Sequence, residues 1–201
     1  MKLIEEVEVQ LERLDLEHRQ VLSRPERPPL RAVGIHLSGV LRHVIKSSRM
    51  PGWDKYVEEL DKKKYPLIWF NGVCWEEGCV SLYPECVWQP GETVWEGVSM
   101  NCDGHSLLPE GFCVEEFKWT SCKRRPWAEF KQDWLKMQQG VGYCGGYGAR
   151  LVRWHVQYVR EPWHPVYIRY LVEVEEKDVE ATRLLIASNR DGAIAAGYGE
   201  E

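Results

Sequence analysis

The chain contains no long hydrophobic run. No stretch reaches the roughly twenty apolar residues that a helix needs to cross a bilayer, so a membrane-spanning helix is excluded and no membrane partner is expected. Nor is there an excess of positive charge: 26 Lys and Arg against 31 Asp and Glu leave a net charge of −5. That argues against a general coater of nucleic acid but permits a local basic groove within an acidic whole. The opening residues, Met1 to Glu8, are too acidic and polar for a secretory signal, which points to a cytoplasmic protein. The 7 cysteines include no C-x2-C pair of the zinc type, and Cys74, Cys79 and Cys86 cluster at wider gaps. Free thiols in a reducing compartment are the expectation. Gly145, Gly146 and Gly148 are followed by no Walker lysine, which removes a nucleotide-phosphate loop. No internal repeat is present.

What the chain does have is aromatic bulk: 10 Trp and 9 Tyr in 201 residues. Rings of that size belong mainly in cores and interfaces. The length suits one domain able to bury a core without covalent staples.

Apolar residues Leu3, Val7, Leu11, Leu14 and Val21, with His18, fall on one stripe, and the spacing predicts a helix over 2–22. Pro25, Pro28 and Pro29 then end it in an extended arm, so residues 1–30 form an N-terminal appendage. Such a helix packs on its own domain or reaches a neighbouring copy as an oligomer contact. A domain over 31–190 follows, with a flexible tail over 191–201. Ser38 reads as the N-cap of a helix to about Ser48 whose apolar side is Val40, Leu41, Val44 and Ile45. Its other side, with Arg42, His43, Lys46 and Arg49, is either a solvated face or a contact for a phosphate backbone through Ser38 and Arg42. A charged segment spans 51–65. Around 71–83 a further helix carries Glu76 among aromatic residues, where an unpaired carboxylate is costly and a metal is one partner for it; Glu77 is the alternative register.

Strands are expected from Cys86 to Met100 with a turn at Gly91-Glu92, then a strand ending at Asp103-Gly104 and another from Gly111 to Trp119. Glu116 and Lys118, two apart, leave the same face of the latter strand. If the two strands pair, Asp103, Glu116 and Lys118 converge. Carboxylate oxygens suit magnesium or manganese, and a lysine beside such an ion steadies a phosphate or polarises water. A surface Glu-Lys pair is the plainer reading. Lys123, Arg124 and Arg125 form a basic knot. Pro126 opens a helix from Trp127 to about Gln139; Gln139 and Tyr143 share a face if it persists, against which Gly140 and Gly142 argue. Strands over 151–160 and 166–173 and a helix over 178–188 complete the chain.

The order of these pieces resembles the PD-(D/E)XK nuclease superfamily, in particular its RecB-like and phage exonuclease-like branch. The matching stretches are G-V-C-W-E at 72–76, C-D-G at 102–104, E-F-K-W-T-S at 116–121 and W-L-K-M-Q-Q-G-V-G-Y-C at 134–144. The resemblance implies an α+β, α/β/α-like fold: a restriction-endonuclease-like core with a central mixed β-sheet flanked by helices, here with an extra N-terminal helix. It implies that Asp103 and Glu116 are metal ligands, that Lys118 is the catalytic lysine, and that Glu76 completes the Mg2+ or Mn2+ environment. Gln139 and Tyr143 would support the site or contact the DNA. Cys102 stands where the family often has proline, and the cysteines lack the pattern of iron–sulfur relatives. The implied activity is a metal-dependent deoxyribonuclease, an exonuclease of phage-type recombination or repair; the alternative is an inactive member of the fold that binds DNA or a protein.

Overall fold

A computed structural model of the chain describes residues 1–9, 34–50, 83, 85–120, 122–159 and 165–198. The strands are β1 (Lys2–Val9), β2 (Val87–Trp88), β3 (Thr93–Trp95), β4 (Val98–Met100), β5 (Gly104–Leu108), β6 (Gly111–Thr120), β7 (Leu151–Tyr158) and β8 (Val166–Glu173). The helices are α1 (Leu37–Ser47), α2 (Trp127–Phe130), α3 (Trp134–Tyr147) and α4 (Glu176–Ala195). Six strands form one sheet in the order β1-β8-β7-β6-β5-β2, and β3 and β4 form a separate hairpin. Only the β6–β7 pair is parallel, bridged by the crossover through α2 and α3; every other pair in the sheet is antiparallel. The architecture is mixed α+β with a central, mostly antiparallel sheet. No helix among the described residues is long and apolar enough to cross a membrane.

Alternation along the central strands divides the sheet into two faces. One face presents Val114, Val152, Trp154, Val156, Ile168, Tyr170 and Val172 to a core filled by Leu37, Leu41, Phe130, Met137, Val141 and Ile186 from the helices. The other presents Phe117 and Tyr167, with Cys113, Leu151 and Leu171 nearby. The strands of the middle are buried on both sides, so they read as near-continuous runs rather than half-polar ones. Cys86, Cys102, Cys113, Cys122 and Cys144 are all unbridged. Burial pushes the Cys86 thiol up to about 12, marking it as packing rather than reactive material.

Several sequence expectations are corrected. Residues 2–9 form a strand, not the start of a helix, because their exposure alternates strictly and they pair antiparallel with β8 from Lys2↔Glu173 to Val9↔Tyr167, with a register shift between Leu3 and Glu5. The remainder of the expected helix and its proline arm lie outside the described residues. The turn expected at Gly91-Glu92 sits instead at Glu96-Gly97, which adopt φ of 53° and 71° and join β3 to β4. The Asp103-Gly104 position begins a strand rather than ending one; β5 pairs with β6 from Gly104↔Glu115 to Leu108↔Gly111, leaving only Pro109-Glu110 as the turn. Helix α1 is capped by His36, not Ser38, because Ile35 and His36 are held extended by a bridge to Ser99 of β4.

The expected helix from Trp127 breaks after Phe130 and restarts at Trp134, with the Asp133 side chain accepting from the Lys136 N–H. It then runs through Gly140 and Gly142 to a left-handed cap at Gly148. Close packing is what keeps those glycines helical. A Cβ at Gly140 would lie 2.4 Å from Cζ2 of Trp154, and one at Gly142 would lie 2.7 Å from a Leu37 methyl. The last helix extends past the expected tail boundary to Ala195, with Ala193 fully buried and Tyr198 packed on the core. On this helix Leu184 is exposed, while Ile186 is buried.

Candidate active site

Strand β6 carries the candidate site residues in its C-terminal half. Glu116 and Lys118 are alternate residues on the helix-covered face, and the Lys118 ammonium meets Glu116 Oε2 at 2.5 Å. Asp103 stands one residue before β5, just past the last ladder pair of the hairpin. There the Phe117 N–H, which would otherwise seek a backbone carbonyl, donates to Asp103 Oδ2 at 2.7 Å. The same oxygen lies 3.5 Å from the Lys118 ammonium. Two carboxylates thus converge on one lysine, as the hairpin expectation required. They differ in access: Glu116 is 1% exposed, whereas the Asp103 side chain is 25% exposed. Burial pulls the Lys118 pKa down, but Asp103 and Glu116 more than offset it, and the group is held well above the ordinary lysine range. It is an ammonium at any working pH.

Tyr143 joins this group. Because α3 persists through its glycines, Tyr143 comes off its buried side, close enough to Glu116, Lys118 and Asp103 for their charges to act on its hydroxyl. Burial first, then the Glu116 charge, push that hydroxyl's pKa upward, so it stays a neutral donor. Gln139 lies one turn earlier on the same helix and is half-buried. Arg42 is half-buried on α1, and Ser38 lies in the first turn of that helix. Neither has a described contact with Asp103, Glu116 or Lys118. Glu76 and its neighbours lie outside the described residues.

Sequence reading passed over two groups that the fold assembles. The first is His36, whose Nδ1 lies 3.3 Å from Glu92 Oε1 while its buried Nε2 has no hydrogen-bond partner among the described residues. His36 is bridged to Ser99, on the chain that leads through Asn101 into Asp103. The signal in sequence was a histidine at the entry of an amphipathic helix, but nothing in its spacing names Glu92. The second group surrounds Glu115 on the reverse face of β6. Arg153 donates to Glu115 from Nε at 2.8 Å and from Nη2 at 2.6 Å, and His155 Nε2 contacts it at 2.8 Å. The two adjacent glutamates therefore part company in space: Glu116 faces Lys118 and Asp103, and Glu115 faces away.

The donor set fits a hard divalent ion. Magnesium keeps several of its waters and is commonly held by one or two carboxylates, which Asp103 and Glu116 supply. Among the described residues no group of three or more His, Cys, Asp or Glu side chains gathers as a fuller cage.

No family model matches this chain. No curated protein matches it either. Chains of known structure do match, among them the crystal structure of SSO0001, with a TM-score of 0.53 at 12% identity over 87% of this chain and 82% of that one. A likeness at that identity shows the shared fold alone.

Proposed function

We propose that this chain is a divalent-metal-dependent deoxyribonuclease with a restriction-endonuclease-like core, in which Asp103 and Glu116 hold Mg2+ or Mn2+ and Lys118 is the catalytic lysine. The observation that carries the proposal is the convergence of both carboxylates on one ammonium across β5 and β6. The bound ion would supply Lewis acidity at a phosphate oxygen and a more acidic water. The protein's own groups divide the remaining work. Lys118, fixed by two anions, sets a permanent positive charge where negative charge grows on the phosphorus oxygens during hydrolysis. Asp103 is the more open carboxylate, while nearly buried Glu116 keeps its charge away from bulk water. The Tyr143 hydroxyl, protonated throughout, offers a neutral hydrogen bond beside those charges. Gln139, one turn away, is the second candidate for a contact with the DNA strand.

An exonuclease of phage-type recombination or repair is the narrower form of this proposal, and it rests on the motif order at 72–144. The test is to incubate linear, closed-circular and single-stranded DNA with the protein in magnesium or manganese, with and without chelator. The expected outcome is degradation of linear DNA that chelator stops and that Lys118→Ala and Asp103→Ala both lose. Cleavage persisting in both variants sinks the site assignment. Cutting of closed circles removes the exonuclease form, and binding without cleavage in the parent protein favours an inactive member of the fold.

A further inference from the structure

Glu115 precedes Glu116 by one residue, so its side chain enters the opposite face of the sheet. There it is sealed, at 0% exposure, as is His155. The Arg153 fork takes both its oxygens, and His155 adds a third contact. The imidazole continues through Nδ1 to the Tyr167 hydroxyl, and Tyr167 lies 2.7 Å from the Tyr83 hydroxyl. Arg153 also reaches Glu85 at 3.3 Å and lies 5.0 Å from the centroid of the Tyr83 ring. Arg153 and His155 both stand on β7, opposite Glu115 and Phe117 in the parallel ladder.

Stability does not account for such a network. Taking ions out of water is costly, and apolar side chains of similar volume often serve a core as well or better. Register does. The two faces of β6 have similar patterns: Val114-x-Glu116-x-Lys118 on one, Cys113-x-Glu115-x-Phe117 on the other. Each places one acid among apolar groups, so hydrophobicity alone separates the two registers weakly. A slip of one residue would send Glu116 and Lys118 to the reverse face. The Arg153 fork and the His155 ring accept a carboxylate followed by an apolar residue. They reject one followed by Lys118, which would then be buried beside two further basic side chains.

We propose that Glu115, Arg153 and His155 form a register lock, three positioning residues that hold Glu116 and Lys118 on the face occupied by Asp103. The lock deepens the nuclease reading and rests on it for the activity it serves. The full chain is compared with the variant Glu115→Leu/Arg153→Met/His155→Phe by urea unfolding, by kcat and KM on linear DNA in magnesium, and by cross-strand amide contacts between β6 and β7 in nuclear magnetic resonance. The variant is expected to unfold cooperatively, with kcat lower by about 100-fold, KM little changed, and the pairs Glu116↔Trp154 and Lys118↔Val156 no longer the single register. A folded variant with parental kcat and one parental register overturns the lock. If the triple variant does not fold, Arg153→Lys replaces it, keeping the charge and removing the fork. Loss of kcat or of the single register then supports the proposal, and parental values of both overturn it. If the parent protein cleaves no DNA, the nuclease reading fails, while the register comparison still decides the lock.

Discussion

Glu115 and Glu116 are neighbours on one strand and both are essentially removed from water, yet their partners differ in kind. Glu115 is met by a planar guanidinium and an imidazole fixed on the adjacent strand, in a network that closes on Tyr167 and Tyr83. Glu116 is met by a lysine of its own strand, which it shares with a partly exposed aspartate. A planar fork holds a carboxylate at both oxygens in a fixed geometry, whereas an ammonium on a flexible stem acts as a point charge. The difference separates an acid enclosed by fixed partners of the next strand from the one placed in the proposed site.

The comparison breaks most severely on the sealed side. Arg153→Met leaves the Glu115 charge buried with half its partners gone, and the expected cost is about 3–5 kcal/mol of stability, read from the urea midpoint. On the open side the loss should fall on activity instead. Lys118→Ala is expected to lower the magnesium-dependent cleavage rate by about 10²–10³-fold with far-ultraviolet circular dichroism unchanged. Gly140→Ala, which drives a Cβ into the Trp154 ring beside Glu116 in the ladder, should cost about 1–3 kcal/mol despite alanine's better helix propensity. A thermal melt measures it.

The mildest perturbation is pH. Burial holds the His155 pKa below its ordinary value, outweighing the pull of Glu115, and hydrogen bonds from His155 and Arg153 hold Glu115 low against the opposing effect of burial. The unfolded chain therefore takes up protons that the folded one refuses. The imidazole's contribution is lost as pH falls below about 6.5, the ordinary histidine value, and the carboxylate's as it falls further below about 4.3. Urea midpoints measured from pH 7.5 downward should decline in that order. In a His155→Asn variant the first decline should be smaller.

The parts of this fold that sequence revealed were those written in local pattern. The alternation of β6, β7 and β8 was legible, as was the apolar side of α1, because each repeats within a few residues. Residues 2–9 were misread because Leu3 and Val7 suit a helical stripe as well as a strand, and only distant β8 chooses between them. The persistence of α3 was hidden because the partners that make its glycines tolerable, Trp154, Leu37 and Trp95, come from other elements. Asp103, Glu116 and Lys118 could be picked out because the hairpin that unites them is short. The Glu115 network could not, since its partners at 83, 153, 155 and 167 meet only after the sheet forms. His36 escaped for the same reason, its partner Glu92 lying beyond a long intervening segment.

The most direct test of the account sets the two glutamates side by side, measuring cleavage of linear DNA in magnesium by Glu116→Gln and by the parent protein, with Glu115→Gln as the reverse-face control and unfolding midpoints for all three. The account predicts that Glu116→Gln loses cleavage while keeping its midpoint near the parent's, and that Glu115→Gln shows the larger fall in midpoint. Cleavage by Glu116→Gln at the parental rate would contradict it.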